Sequence, residues 1–182
     1  MSVTYDDILS AQQEQGDVIR KTSLAFSDTF TQLTGSTVYL KNEFEQKTGS
    51  FKLRGAHYKI SILSEDETKN GIVAASAGNH GQGVAYASAL ENIKCTIVMP
   101  KNASPAKVAA IRGYGATVVL EGKNYEESWA KAQEIAKTTG AEIIHAFDDP
   151  YVIAAQGVIG LEIMEQLPDV DEIYVPIGGG GL

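Results

Sequence analysis

The sequence predicts an α/β fold built on a mainly parallel sheet. Short β-branched runs recur along the chain, longer amphipathic stretches follow them, and the two alternate at spacings of about twenty to thirty residues. Such spacing leaves room for right-handed crossovers through helices rather than for tight hairpins. Expected strands cover residues 37–40, 71–75, 95–99, 116–120, 141–144 and 172–177. Expected helices cover 5–15, 24–33, 51–63, 80–90, 105–114, 125–139 and 150–166. Several boundaries carry their own punctuation. Ser64 and Glu67 have the spacing of a capping box, in which hydroxyl and carboxylate satisfy each other's end of a helical turn. Pro105 and Pro150 stand where a first helical residue would, and Asp149 can cap the helix behind it. Gly140 stops the helix that contains Trp129.

Composition narrows the function. A chain of 182 residues with 43% apolar and 21% charged residues can bury a sizeable core, which excludes disorder and collagen-like repeats. A net charge of −8 argues against nucleic acid and anionic membrane surfaces as partners. No run approaches the ~18 apolar residues of a membrane span, and the start Met1-Ser2-Val3-Thr4-Tyr5-Asp6-Asp7 has no signal-peptide character. Cys95 is the single cysteine, so neither an internal disulfide nor a cysteine-built metal site is expected, and a reducing cytoplasm is the expected location. The strand pattern of residues 173–177 runs straight into Gly178-Gly179-Gly180-Gly181-Leu182. A glycine turn after a strand normally opens a helix, so the chain reads as part of a longer one.

Three glycine-bearing segments are candidates for chemistry. In Ser50-Phe51-Lys52-Leu53-Arg54-Gly55, Lys52 falls at a helix start, where the helix dipole disfavours a cation. A lysine there is either simply solvated or a partly neutral amine of the kind Schiff-base chemistry needs. Ser76-Ala77-Gly78-Asn79-His80-Gly81 follows an expected strand and opens a helix, which aims backbone N–H groups at one point. It is either a carboxylate site or an ordinary turn with Asn79 as N-cap. The terminal glycines allow backbone amides to approach a phosphate, or form a flexible tail; their spacing is not that of a dinucleotide fingerprint.

Taken together, these segments resemble one family: the fold-type II, tryptophan synthase β-like, pyridoxal-phosphate (PLP) enzymes, and within it the threonine/serine dehydratases (threonine ammonia-lyases). The likeness is collinear and includes Pro105-Ala106-Lys107 and Gly157-Val158-Ile159-Gly160-Leu161-Glu162. It implies an enzyme that turns L-threonine or L-serine into a 2-oxo acid and ammonia. It implies that Lys52 holds PLP and moves the α-proton, that Phe51 lies near the ring and that Asn79 bonds its phenolic oxygen. Gly178, Gly179, Gly180, Gly181 and Leu182 would cradle the phosphate. Ser76, Ala77, Gly78, Asn79 and His80 would form the substrate-carboxylate loop. Related serine racemases carry a second acid/base serine where this chain has Ala77, and a methyl group moves no proton. Cysteine synthases usually have threonine where His80 stands. Dehydration is therefore expected over racemisation or cysteine synthesis.

The resemblance further implies a domain plan. Residues 1–70 would begin a large PLP-binding domain, 71–149 would form a small mobile domain, and 150–182 would return to the large one. The partner of the pyridine nitrogen would lie further along, so 182 residues alone are expected to be weakly active or inactive. A homo-oligomer is implied, and a nucleotide effector near Lys47, Thr48 and Gln82. Cys95 is expected to be a buried hydrophobe, and His57 and His145 satisfied or exposed. The pairs Glu126-Glu127 and Asp148-Asp149 are expected on a solvated helix face and at a helix start. No residue spacing suggests a metal.

Overall fold

The structure is a computed structural model that describes residues 2–182. Helix α1 (Tyr5–Gln15) leads to a small antiparallel pair, β1 (Leu24–Phe26) and β2 (Tyr39–Lys41), with α2 (Asp28–Thr34) between them. Helix α3 (Lys52–Ser61) and the short α4 (Glu65–Thr68) follow. The chain then alternates strictly: β3 (Ile72–Ala75), α5 (Asn79–Leu90), β4 (Cys95–Met99), α6 (Pro105–Gly113), β5 (Thr117–Leu120), α7 (Tyr125–Thr139) and β6 (Glu142–Ile143). Helix α8 (Pro150–Gln166) ends the regular structure.

The last four strands form one parallel sheet in the order β5-β4-β3-β6. All four residues of β3 are buried, as a parallel strand covered on both faces should be. Because side chains alternate along a strand, Ile72 and Ala74 point one way and Val73 and Ala75 the other. The first pair joins Ile97 and Met99 in a core with Leu53 and Ile60 of α3, Val84 of α5 and Ile111 of α6. The second pair packs with Val98 against Ala132 and Trp129 of α7. The result is helix, sheet, helix in three layers. A separate cluster of Ala11, Tyr58, Ala154, Ala155 and Val158 binds α1, α3 and α8 together. Its closeness depends on Gly157, where a Cβ would stand 2.7 Å from Ile8.

The expected punctuation holds. Ser64 and Glu67 close a capping box, Pro105 and Pro150 open their helices, and Asp149 accepts from the N–H groups of Tyr151 and Val152. Gly140 ends α7 in the left-handed region at φ 76°. Two expectations are corrected. Residues 24–33 are not one helix: Leu24–Phe26 pairs as a strand with Tyr39–Lys41, also displacing the strand expected at 37–40, and Ser27 caps a helix that begins only at Asp28. Residues 172–177 form no strand; Tyr174 and Ile177 are 87% and 86% exposed. A strand is completed by a neighbour's hydrogen bonds, and no strand lies beside this segment among the described residues.

Candidate active site

Lys52 is the first residue of α3, directly after the turn in which Gly49 takes φ 75°. Its Nζ donates to the carbonyl of Ala146 at 2.8 Å and lies 5.0 Å from the Phe51 ring centroid. Burial pushes the amine below the ordinary lysine range, because removing water disfavours the ammonium. The helix dipole invoked from sequence acts in the same direction, but desolvation is the cause here. The first turn of α3 rests directly on α5. A Cβ at Gly83 would stand 3.2 Å from the Lys52 carbonyl and the Leu53 nitrogen, so glycine permits the approach that places Lys52.

The second segment joins β3 to α5. Gly78, rather than Asn79, occupies the cap, and Asn79 is the first helical residue. Ala77 and Asn79 are exposed, whereas Ser76, Gly78 and His80 are buried. The Ser76 hydroxyl accepts from the Gly78 N–H at 3.1 Å, so these two expected carboxylate donors bond each other in this state. His80 reaches the carbonyl of Ile144 through Nε2 at 3.0 Å. Burial lowers its pKa to about 4, with the Lys52 charge acting in the same sense, so the ring is neutral near pH 7 and Nε2 is the donor. Lys107, on α6, extends over this loop: a Cβ at Gly78 would stand 2.6 Å from its Nζ.

The terminal glycines fold back onto Phe147. A Cβ at Gly179 or Gly181 would fall 2.5 or 2.6 Å from that side chain, and Gly180 takes φ 81°. All three glycine-bearing segments therefore meet the connector between β6 and α8: His80 at Ile144, Lys52 at Ala146 and the glycine run at Phe147. Sequence reasoning named His145, Asp148 and Asp149 in this connector but gave none of them a part in the site, since backbone carbonyls leave no residue signature. It also missed Trp129, which meets His145 edge-on with centroids 5.1 Å apart.

Arg54 was read as part of the Lys52 motif, and the structure gives it a separate task. Fully buried, it bonds Glu43 and Glu162, each through two nitrogens. Lys41 completes the cluster at 2.6 Å from Glu162. Two cations facing two carboxylates leave no net charge to bury, and the group ties β2, α3 and α8 behind the lysine.

Other expected residues lie apart. Lys47 is exposed and donates to the Asp17 carbonyl at 3.3 Å, Thr48 is buried with an unpartnered hydroxyl, and Gln82 is half-buried. Burial of Cys95 pushes its thiol up to about 11, as a buried hydrophobe requires. His57 is buried with Nδ1 unpartnered, which corrects the expectation that it is satisfied or exposed. His145 is half-buried and its Nδ1 is satisfied. Glu126 and Glu127 lie exposed in the first turn of α7. Among the described residues, no group of three or more His, Cys, Asp or Glu is placed to hold a metal.

A half-desolvated amine, a helix start presenting free N–H groups and a close-packed glycine run form the donor set for a carbonyl cofactor carrying a phosphate. The α/β layers and this set would suit a cofactor held by a lysine. The chain belongs to the pyridoxal-phosphate dependent enzyme family, whose model matches residues 16–182. It is 53% identical to the L-threonine ammonia-lyase of Thermotoga maritima over 180 residues, covering 99% of this chain and 45% of that protein. It is 49% identical to the catabolic L-threonine dehydratase TdcB of Escherichia coli K12, covering 100% of this chain and 55% of that one. The chain thus spans about half the length of these relatives. Among solved structures, maize serine racemase superposes with a TM-score of 0.95 at 34% identity, covering all of this chain and 55% of that one. Isoform 2 of threonine deaminase from Solanum lycopersicum gives 0.89 at 38%, covering 100% and 51%.

Proposed function

We propose that this chain carries the cofactor lysine, the carboxylate loop and the phosphate loop of an ammonia-lyase acting on L-threonine and L-serine. Pyridoxal phosphate, when bound, supplies the electron sink that protein side chains lack. Lys52 would hold it through Nζ until the substrate's amine takes that place, with Phe51, Asn79, the glycines 178–181 and Leu182 around it. Burial leaves that amine free to take the proton from the substrate's α-carbon. Ser76 and the amides opening α5 hold the carboxylate, which requires the Ser76–Gly78 bond to yield. Neutral His80 braces the loop without adding a charge beside Lys52.

The observation that carries the reading is the half-desolvated Lys52 amine, bonded to the connector that also meets the carboxylate loop and the glycine run. The close likeness to a serine racemase favours racemisation as a second reading, since the fold does not separate the two. Ala77 supports the first reading: its methyl group moves no proton, so loss of the β-hydroxyl is the expected outcome. The same reading divides the chain at 71 and 149 into parts of a large and a small mobile domain; the sheet β3 to β6 lies wholly within the middle part. It also includes a homo-oligomer, supported by the exposed Phe26, Phe30 and Leu33, and a nucleotide effector, supported by the unpartnered Thr48 hydroxyl. A cytoplasmic location rests on the single reduced cysteine; no described helix is long and apolar enough to cross a membrane.

The test is reductive trapping. Borohydride treatment of the protein with pyridoxal phosphate is expected to leave a stable adduct on Lys52, absent in Lys52→Ala, and the full-length enzyme is expected to release ammonia from L-threonine. An adduct confined to other lysines overturns the site. Inversion of L-serine faster than its elimination selects the second reading.

A further inference from the structure

The connector between β6 and α8 fixes Lys52, His80 and the glycine run, yet it has no strand or helix of its own. One side chain within it bonds two of its backbone amides. The Nδ1 atom of His145 accepts from the backbone N–H of Asp148 at 2.7 Å and from that of Phe147 at 3.3 Å. Accepting demands a lone pair on Nδ1, which assigns the ring proton to Nε2. The ring is also gripped on two sides. Trp129 of α7 meets it at 88° and 5.1 Å, and Phe147 meets it at 77° and 4.7 Å. Between the imidazole and the two amides it holds lies Ala146, whose carbonyl receives the Lys52 amine.

We propose that His145 is a positioning residue: its Nδ1 lone pair bends the connector so that the Ala146 carbonyl meets Lys52, the Phe147 ring meets Gly179, and the Phe147 Cβ and backbone meet Gly181. The proposal rests on the reading of Lys52 as the cofactor lysine. It gives His145 a task distinct from filling space, and the two tasks separate by substitution. In His145→Phe an aromatic ring stays between Trp129 and Phe147 but the acceptor is lost. In His145→Asn the side-chain oxygen stands close to the former Nδ1 position while most of the ring is lost.

The direct readout is hydrogen exchange at the amides of Phe147 and Asp148, which needs no cofactor. Both are expected to be protected in the parent and in His145→Asn, and to exchange about tenfold faster in His145→Phe, the scale of one lost hydrogen bond. The rate of borohydride-trapped pyridoxal phosphate adduct formation on Lys52 is expected to follow the same order, several-fold slower in His145→Phe alone. Far-UV circular dichroism checks that each variant is folded. A purely space-filling His145 predicts the reverse order, with His145→Asn the impaired variant, and that order overturns the proposal. Unprotected amides in the parent overturn it as well, even if neither variant folds. Protected amides together with no adduct on Lys52 would instead defeat the cofactor assignment and leave the turn-holding role standing.

Discussion

Two short apolar stretches of this molecule, each holding β-branched residues, take opposite fates. Ile72-Val73-Ala74-Ala75 is a fully buried strand, whereas Ile173-Tyr174-Val175-Pro176-Ile177 is exposed along its whole length and pairs with nothing described. Both are β-branched and apolar, and both run into a glycine-bearing turn. What differs is the neighbour. β3 has β4 on one side and β6 on the other, with helices over both faces. Strand preference is largely a fit to a half-built surface, so without that surface, and with Pro176 unable to donate to a ladder, the second stretch stays irregular. The lesson reaches function: the loop after β3 is fixed because β3 is fixed, while the glycine run packs on Phe147 in a connector that has no strand or helix.

The largest expected effect tests whether the sheet stands apart from the segments that flank it. Glu162→Ala would leave Arg54 and Lys41 buried without their shared carboxylate. Unpairing a buried ion costs about 3–5 kcal/mol, to be read from urea unfolding. Native-state hydrogen exchange would then sharpen the comparison. Amides of β3 and β4 are expected to keep their protection while those of α1 and α8 lose it. Equal loss in both regions would show that sheet and flanks unfold as one unit.

A smaller effect comes from pH. His80 titrates near 4 when folded and near 6.5 when unfolded, because burial disfavours its cation. The unfolded chain therefore takes up the proton first. The stability contributed by neutral His80 is whole above pH 6.5 and fades as pH falls to about 4, a loss of up to about 3 kcal/mol. In His80→Gln the side-chain amide can still donate to Ile144 but cannot titrate. Subtracting its unfolding curves should isolate the slope. A parent and variant with the same pH dependence would mean that His80 is open to water.

How much of this was legible follows the same division. Caps and turns are local, so Ser64 with Glu67, Pro105, Pro150 and Gly140 announced their helix ends correctly. The parallel strands were legible because their runs are buried on both faces. Leu24–Phe26 was misread as helix because its strand identity is conferred by Tyr39–Lys41, well along the chain; Ser27 just behind it was the cap that marked the true helix start. The candidate residues of the site stood out as motifs. Their common anchor at Ile144–Phe147 did not, because two of the contacts are to carbonyl oxygens that every residue possesses. Arg54 looked like part of the chemistry and is bonded instead to Glu43 and to Glu162, the latter 108 residues away.

The smallest predicted effect is the sharpest on the comparison itself. Ile177 is 86% exposed, so truncation removes no buried surface and opens no cavity. Ile177→Ala should shift stability by no more than about 0.5 kcal/mol, the range of surface substitutions. The same change at Ile97, which is fully buried between β3 and β5, should cost several times as much, about 2–5 kcal/mol, through lost transfer energy and the cavity left behind. A cost at Ile177 approaching that at Ile97 would mean that the segment is covered in solution. The contrast between the two stretches would then lie in which partner each has found rather than in whether it has one.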